Sequence, residues 1–106
     1  MPLIWCSISG HGFGHAAQTV PVLNELGKRV PGIKALLRTT LPRQFFEGRL
    51  EIPWELSPQP QDVGCVQENP LRIDRDATWA ETRRFHERWK VRVEEEVRAI
   101  RARSPA

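Results

Sequence analysis

Cysteine is scarce in this chain. Its two copies, Cys6 and Cys65, are too few for a disulfide framework. Long apolar runs are missing too, and none approaches the ~18–20 residues that span a bilayer. The N-terminal segment, Met1-Pro2-Leu3-Ile4-Trp5-Cys6, has no basic stretch ahead of an apolar one, so no secretory signal peptide is expected. A block of one-signed charge is also absent. Net charge is +3, from 16 basic and 13 acidic residues. Even the arginine-dense stretch 76–106 interleaves eight basic with six acidic residues. A nucleic-acid surface clusters one sign; interleaving reads as a solvated, salt-bridged helix face. The expectation is a soluble, cytoplasmic protein with reduced thiols, no nucleic-acid partner and no integral membrane segment.

What is present is an ordinary globular composition. The 106 residues are 40% hydrophobic and 27% charged, enough for one domain at most. Leu, Ile, Val and Phe make up about a quarter of the chain, above the roughly 20% below which disorder sets in. No internal repeat and no low-complexity tract is visible.

Periodicity then orders the chain. Residues 3–8, Leu-Ile-Trp-Cys-Ser-Ile, are apolar on both parities, which predicts a strand covered on both faces. Ser9-Gly10-His11-Gly12-Phe13-Gly14-His15 follows as a loop, because alternating glycines suit neither strand nor helix. A helix is expected from about His15, with Ala17, Val20, Leu23 and Leu26 as its buried stripe, Pro21 tightening its start, and Gly27 and Pro31-Gly32 ending it. Ile33–Thr39 reads as a second strand, Pro42–Phe46 as a short helix, and Ile52–Leu56 as a third strand held to an edge by Pro53. Residues 57–75 read as a long loop. A long helix over 76–103 follows. Thr78-Trp79-Ala80-Glu81 reads as its capping box, and Trp79, Thr82, His86, Trp89, Val93, Val97 and Ile100 as one buried stripe. His86, Trp79 and Trp89 are therefore expected in the core.

The alternation predicts an α/β fold: a parallel sheet of order 3-2-1 with flanking helices, a partial Rossmann-like layer. Leu3–Ile8 would then sit at an edge without charge or proline to protect it. The expectation is that residues 1–106 are the N-terminal part of a larger domain, or that a partner covers that edge, which includes a homo-oligomer.

Open α/β sheets bind ligands at the carboxyl edge, where residues 9–15 fall. Backbone amides of such a loop and the following helix N-terminus favour an anion such as a diphosphate. Histidine is the side chain suited to proton transfer near neutral pH, and His11 and His15 can take a proton from a sugar hydroxyl. Phe13 reads as a packing anchor, and Cys6 and Cys65 as inert. A zinc site is not expected, since no cysteine or carboxylate shares the loop. Gly12-Phe13-Gly14-His15-Ala16-Ala17 also fits the dinucleotide pattern G-x-G-x-x-A, with position 17 giving close helix–strand packing. The second strand ends in Arg38 rather than an acid, so the surviving version of that reading is a truncated NADP-binding domain. A third reading is a partner-dependent, non-catalytic interaction module.

Residues 9–15 resemble the glycine–histidine loop that opens the N-terminal domain of two-domain GT-B glycosyltransferases. They are most similar to the glycosyltransferase-like N-terminal region of plant arabinokinases and their bacterial relatives. Asp62-Val63-Gly64-Cys65-Val66-Gln67 resembles that group's Asp-x-Gly-x-Val-Gln segment, Leu71 and Asp74 its Leu-x-x-Asp setting, and Thr78, Phe85 and Trp89 fall in the helix that follows. The resemblance implies an N-terminal Rossmann-like domain holding an acceptor, small molecule or glycan, and facing a C-terminal domain that holds a nucleotide-sugar. No metal and no cofactor beyond that donor are implied. It gives the role of base or acceptor orienter to His15, with His11 second. Gly10, Gly12 and Gly14 would approach the donor diphosphate, and Asp62 and Gln67 would lie on the acceptor side. The 106 residues hold no nucleotide-sugar domain and no glutamate-rich ribose-binding motif, so transfer is expected only from a longer chain, and this piece alone is expected to be inactive.

Overall fold

A computed structural model describes residues 2–106. Three strands form a parallel sheet: β1 (Leu3–Ser7), β2 (Lys34–Arg38) and β3 (Trp54–Ser57), in the order β1-β2-β3. Helix α1 (Gly14–Arg29) connects β1 to β2, and the short α2 (Arg43–Phe46) connects β2 to β3. The chain is thus α/β, with the expected strand order and β3 at an edge. Strand β1 ends at Ser7 rather than Ile8, although the Ile8 N–H still donates to the Arg38 carbonyl at 3.0 Å.

Register divides the sheet into two unlike faces. Ile4 and Cys6 of β1, Ala35 and Leu37 of β2, and Trp54 and Leu56 of β3 join Ala16, Val20, Leu23 and Phe46 in the apolar core. The opposite face alternates with it and carries Trp5, Lys34, Leu36, Arg38, Glu55 and Ser57. Leu36 there is buried, but the charges are answered by pairing. Glu55 meets Lys34 and Arg103, and Arg38 meets Glu96. The expectation that the first strand is covered on both faces holds, with Ile4 and Cys6 against the core and Leu3 buried and Trp5 half-buried on the other side; β2 and β3 add the charges on that second face, which bind the covering helix by ion pairs. Cys6 is half-buried, and burial raises its thiol pKa.

The expected stripe of α1 holds at Val20 and Leu23, with Leu26 half-buried, but it begins at Ala16 instead of Ala17. Ala16, Val20 and Leu23 are buried, whereas Ala17 is exposed. Position 17 thus gives no close helix–strand packing. Gly27 does not stop the helix, which runs on to Arg29. A side chain at Gly27 would strike Ile52 Cγ2, so its lack of one lets the helix pack against the segment before β3. Pro21 is accommodated inside the helix.

The stretch 57–75 is not structureless. It contains a small antiparallel hairpin, β4 (Gln67–Asn69) with β5 (Arg72–Ile73). The single long helix is two: α3 (Arg75–Glu87) and α4 (Trp89–Arg103), interrupted at Arg88 (φ −103°, ψ 19°). The cap is Asp74, not Thr78; its carboxylate accepts from the Ala77 N–H at 2.9 Å, satisfying a first-turn donor. Neither helix has a fully buried residue. Trp79, Trp89, Val93 and Val97 are exposed, against the expected core stripe. His86 is exposed too and stacks on Trp89, with centroids 5.3 Å apart. The reason is that α4 meets the polar face of the sheet through Glu96 and Arg103, so its apolar residues are not needed there. Beyond the sheet, the Ala106 N–H donates to the Leu3 carbonyl on β1 at 2.9 Å. Among the described residues, β1 has no strand partner other than β2.

Candidate functional site

The loops after β1 and β2 meet at the carboxyl edge of the sheet. Gly10 lies so close to the Thr40 hydroxyl that a Cβ would collide with it. Gly12 turns the chain with φ +79°, a conformation that other residues resist. Gly14 opens α1 with nothing within 4 Å of where its Cβ would be. Phe13, half-exposed, anchors the loop by stacking on Phe45 at 5.0 Å. Its side-chain role is the packing one expected.

His11 turns toward the segment 60–66. Its Nε2 lies 3.0 Å from Asp62 Oδ1 and 3.2 Å from the Asp62 carbonyl oxygen. Both atoms accept, so Nε2 carries the proton in the neutral imidazole and Nδ1 is left as the acceptor. The ring lies flat against Gly64. A Cβ on that residue would be 2.5 Å from His11 Cγ and 2.7 Å from Nδ1. Asp62 thus holds the ring, and Gly64 leaves room for it.

Segment 62–66 is itself fastened to the first turn of α3. The Val66 N–H donates to the Thr78 hydroxyl at 2.9 Å, and that hydroxyl donates to the Asp74 carbonyl at 2.7 Å. The Asp74 N–H donates back to the Val66 carbonyl at 2.8 Å. Asp74, Thr78 and the Asp62–Val66 segment therefore form one unit that fixes the carboxylate beside His11. Two motifs about fifty residues apart in the sequence converge on one side chain.

The convergence borders a cleft of about 360 Å³. His11, Asp62 and Cys65 line one side, and Arg84, Arg88 and Arg92 the other. A smaller cleft of about 170 Å³ adjoins it across Pro60, Phe85 and Arg92, and adds Gln59, Trp89 and Glu96. The three arginines recur every fourth residue through the α3–α4 break. That spacing is present in the sequence, where the interleaved acids make it look like a solvated face. Only the break at Arg88, which no local signal announces, brings them to the cleft.

Other expected site residues fall elsewhere. His15, in the first turn of α1, is exposed, and its carbonyl accepts from the Thr19 hydroxyl at 2.8 Å. It does not line the cleft and has no side-chain partner among the described residues. Gln67 begins β4, exposed and outside the cleft. Arg38, on which an NADP 2′-phosphate would depend, is committed. Its side chain is 13% exposed, with Nη2 2.8 Å from Glu96 Oε2 and Nη1 2.7 Å from Ser57 Oγ. Among the described residues, no group of three or more His, Cys, Asp or Glu is placed to hold a metal ion, and no helix is long and apolar enough to cross a membrane.

Comparison of the chain with models of known protein families, with curated proteins and with solved structures gave no match.

Proposed function

We propose that this chain is the acceptor-holding, N-terminal part of a glycosyl-transferring enzyme, with a Rossmann-like layer whose glycine–histidine loop meets the acceptor hydroxyl. The observation that carries the reading is the His11–Asp62 pair at the carboxyl edge of the parallel sheet, seated on Gly64. A base held by a carboxylate at a ligand-binding edge is the arrangement that general-base catalysis needs.

In the proposed step, His11 Nδ1 accepts the proton of the acceptor hydroxyl. The hydroxyl oxygen forms the new bond to C1 of the donor sugar. The bond from C1 to the diphosphate oxygen breaks, and the nucleoside diphosphate departs with the electron pair. Asp62 stabilises the imidazolium that forms and keeps the ring turned the right way. The open backbone at Gly14 and the uncapped N-terminus of α1 suit the leaving diphosphate. His15 stands at that end of the helix and keeps the position that the family resemblance favours, but the Asp62 pairing supports His11 as the base.

The test is a titration of the ¹⁵N-labelled chain with UDP, with UDP-sugars, with simple sugars as acceptors, and with NADPH. The reading expects amide shifts centred on residues 10–15 and 62–66 with the sugars and uridine nucleotides. Shifts in that loop with NADPH alone would overturn it.

A further inference from the structure

The cleft beside His11 is more basic than a neutral sugar requires. We infer that the acceptor bound there carries an anionic group, a phosphate monoester or a carboxylate, gripped by Arg88 and Arg92. The inference deepens the reading above and rests on it for treating this cleft as the acceptor's.

Three arginines and two carboxylates line the cleft. Both carboxylates are engaged: Glu81 with Arg84 at 2.7 Å, and Asp62 with His11 at 3.0 Å. Several arginines of the chain have no ion pair among the described residues, and Arg88 and Arg92 are the two of these that line the cleft, whereas Arg84 there is paired with Glu81. The two unanswered guanidinium groups therefore face the same space.

The Arg92 guanidinium lies over the Phe85 ring, 4.2 Å from its centroid, so it is held before any ligand arrives. Arg88 occupies the non-helical residue between α3 and α4. Four residues apart, the two present planar donor forks of the kind that bind carboxylate or phosphate oxygens in pairs. The volume suits a small molecule such as a sugar bearing one such group. A hydroxyl on the same molecule would then lie toward His11, which lines the same cleft.

The test is direct binding to the full chain at a fixed ionic strength of about 0.15 M, where the Debye length is about 8 Å, followed by tryptophan fluorescence and by the rate of Cys65 alkylation with iodoacetamide. Cys65 lines the cleft, so a bound molecule shields it. The probes are a hexose monophosphate, the matching uronic acid, the matching neutral hexose, and UDP. The inference expects the phosphate or the uronate to bind, to protect Cys65, and to lose about tenfold or more in affinity in each of Arg88→Ala and Arg92→Ala. Arg98→Ala, which removes a charge outside the cleft, should leave affinity within about twofold. Arg88→Lys serves as a second variant that preserves charge and recovers part of the loss. Equal binding of the neutral hexose without arginine dependence would overturn the inference. So would arginine dependence seen with UDP alone, which would give the arginines to the donor. Failure of either kind leaves the His11 base reading to its own titration. Arginine-dependent binding of an acid without any sugar-nucleotide response would leave the anion site standing and remove the glycosyl-transfer reading.

Discussion

Removing the Glu96 carboxylate should loosen α4 from the sheet. Arg38 Nε lies 3.1 and 3.0 Å from the two Glu96 oxygens, and Nη2 is 2.8 Å from Oε2. The side chains are 13% and 26% exposed, so the pair lies between the surface and buried limits. Exposed pairs contribute ~0–1 kcal/mol, and breaking a buried pair costs ~3–5 kcal/mol. In Glu96→Ala, Arg38 keeps Ser57 and its place by the Trp5 ring, 5.7 Å from the centroid, so it is only partly stranded. The expected cost is about 2 kcal/mol, a midpoint for these limits. For a domain of this size that lowers Tm by roughly 8–16 °C. Thermal and urea unfolding followed by circular dichroism would measure it. Arg38→Met combined with Glu96→Leu should recover most of the loss, because no charge is then left unpaired. A Glu96→Ala variant within about 0.5 kcal/mol of the parent would refute the claim that this pair fastens the helix.

Other perturbations separate packing from chemistry. Gly27→Ala should destabilise by about 1–3 kcal/mol in urea unfolding, because the clash with Ile52 outweighs the ~1 kcal/mol gain in helix propensity. Gly14→Ala should fold like the parent, since nothing lies near its Cβ, yet weaken the proposed response to UDP; an unchanged response would remove Gly14 from the proposed diphosphate site. Hydrogen bonding from Arg103, then from Lys34, lowers the Glu55 pKa from 4.5. Its folded-state value is depressed, so its contribution is present above the unfolded pKa and is lost as pH falls through the folded one. Glu55→Gln should therefore flatten the acid side of the stability curve below about pH 4.5, measured by urea unfolding at several pH values. Iodoacetamide should modify exposed Cys65 well before Cys6, whose thiol burial holds in the protonated form; equal rates by mass spectrometry would contradict that.

Much of the fold follows from local signals. The strand–loop–helix order, the 3-2-1 sheet and the Pro53 edge all come from periodicity and backbone chemistry that act within a few residues. Tertiary pairing decided what periodicity misread. Trp89, Val93 and Val97 recur as a core stripe would, but α4 docks through Glu96 and Arg103 on charges that β2 and β3 present. Asp74 outcompeted Thr78 as the cap because the Thr78 hydroxyl serves segment 62–66 instead. The hairpin inside 57–75 is only three and two residues long, below what alternation can reveal. At the site, Asp62 and Gly64 were visible as a pattern without a reason. Their reason is long-range: each touches His11, fifty-odd residues away.

The central claim is that Asp62 and Gly64 set the proton position of the His11 ring. Long-range ¹H–¹⁵N correlation of the histidine side chains, taken where the imidazoles are neutral, reads this directly. The account predicts His11 with its proton on Nε2 in the parent, and loss of that preference in Asp62→Ala and in Gly64→Ala, where the ring must retreat about 1 Å to regain ordinary contact. A His11 tautomer that is unchanged in both variants would contradict it.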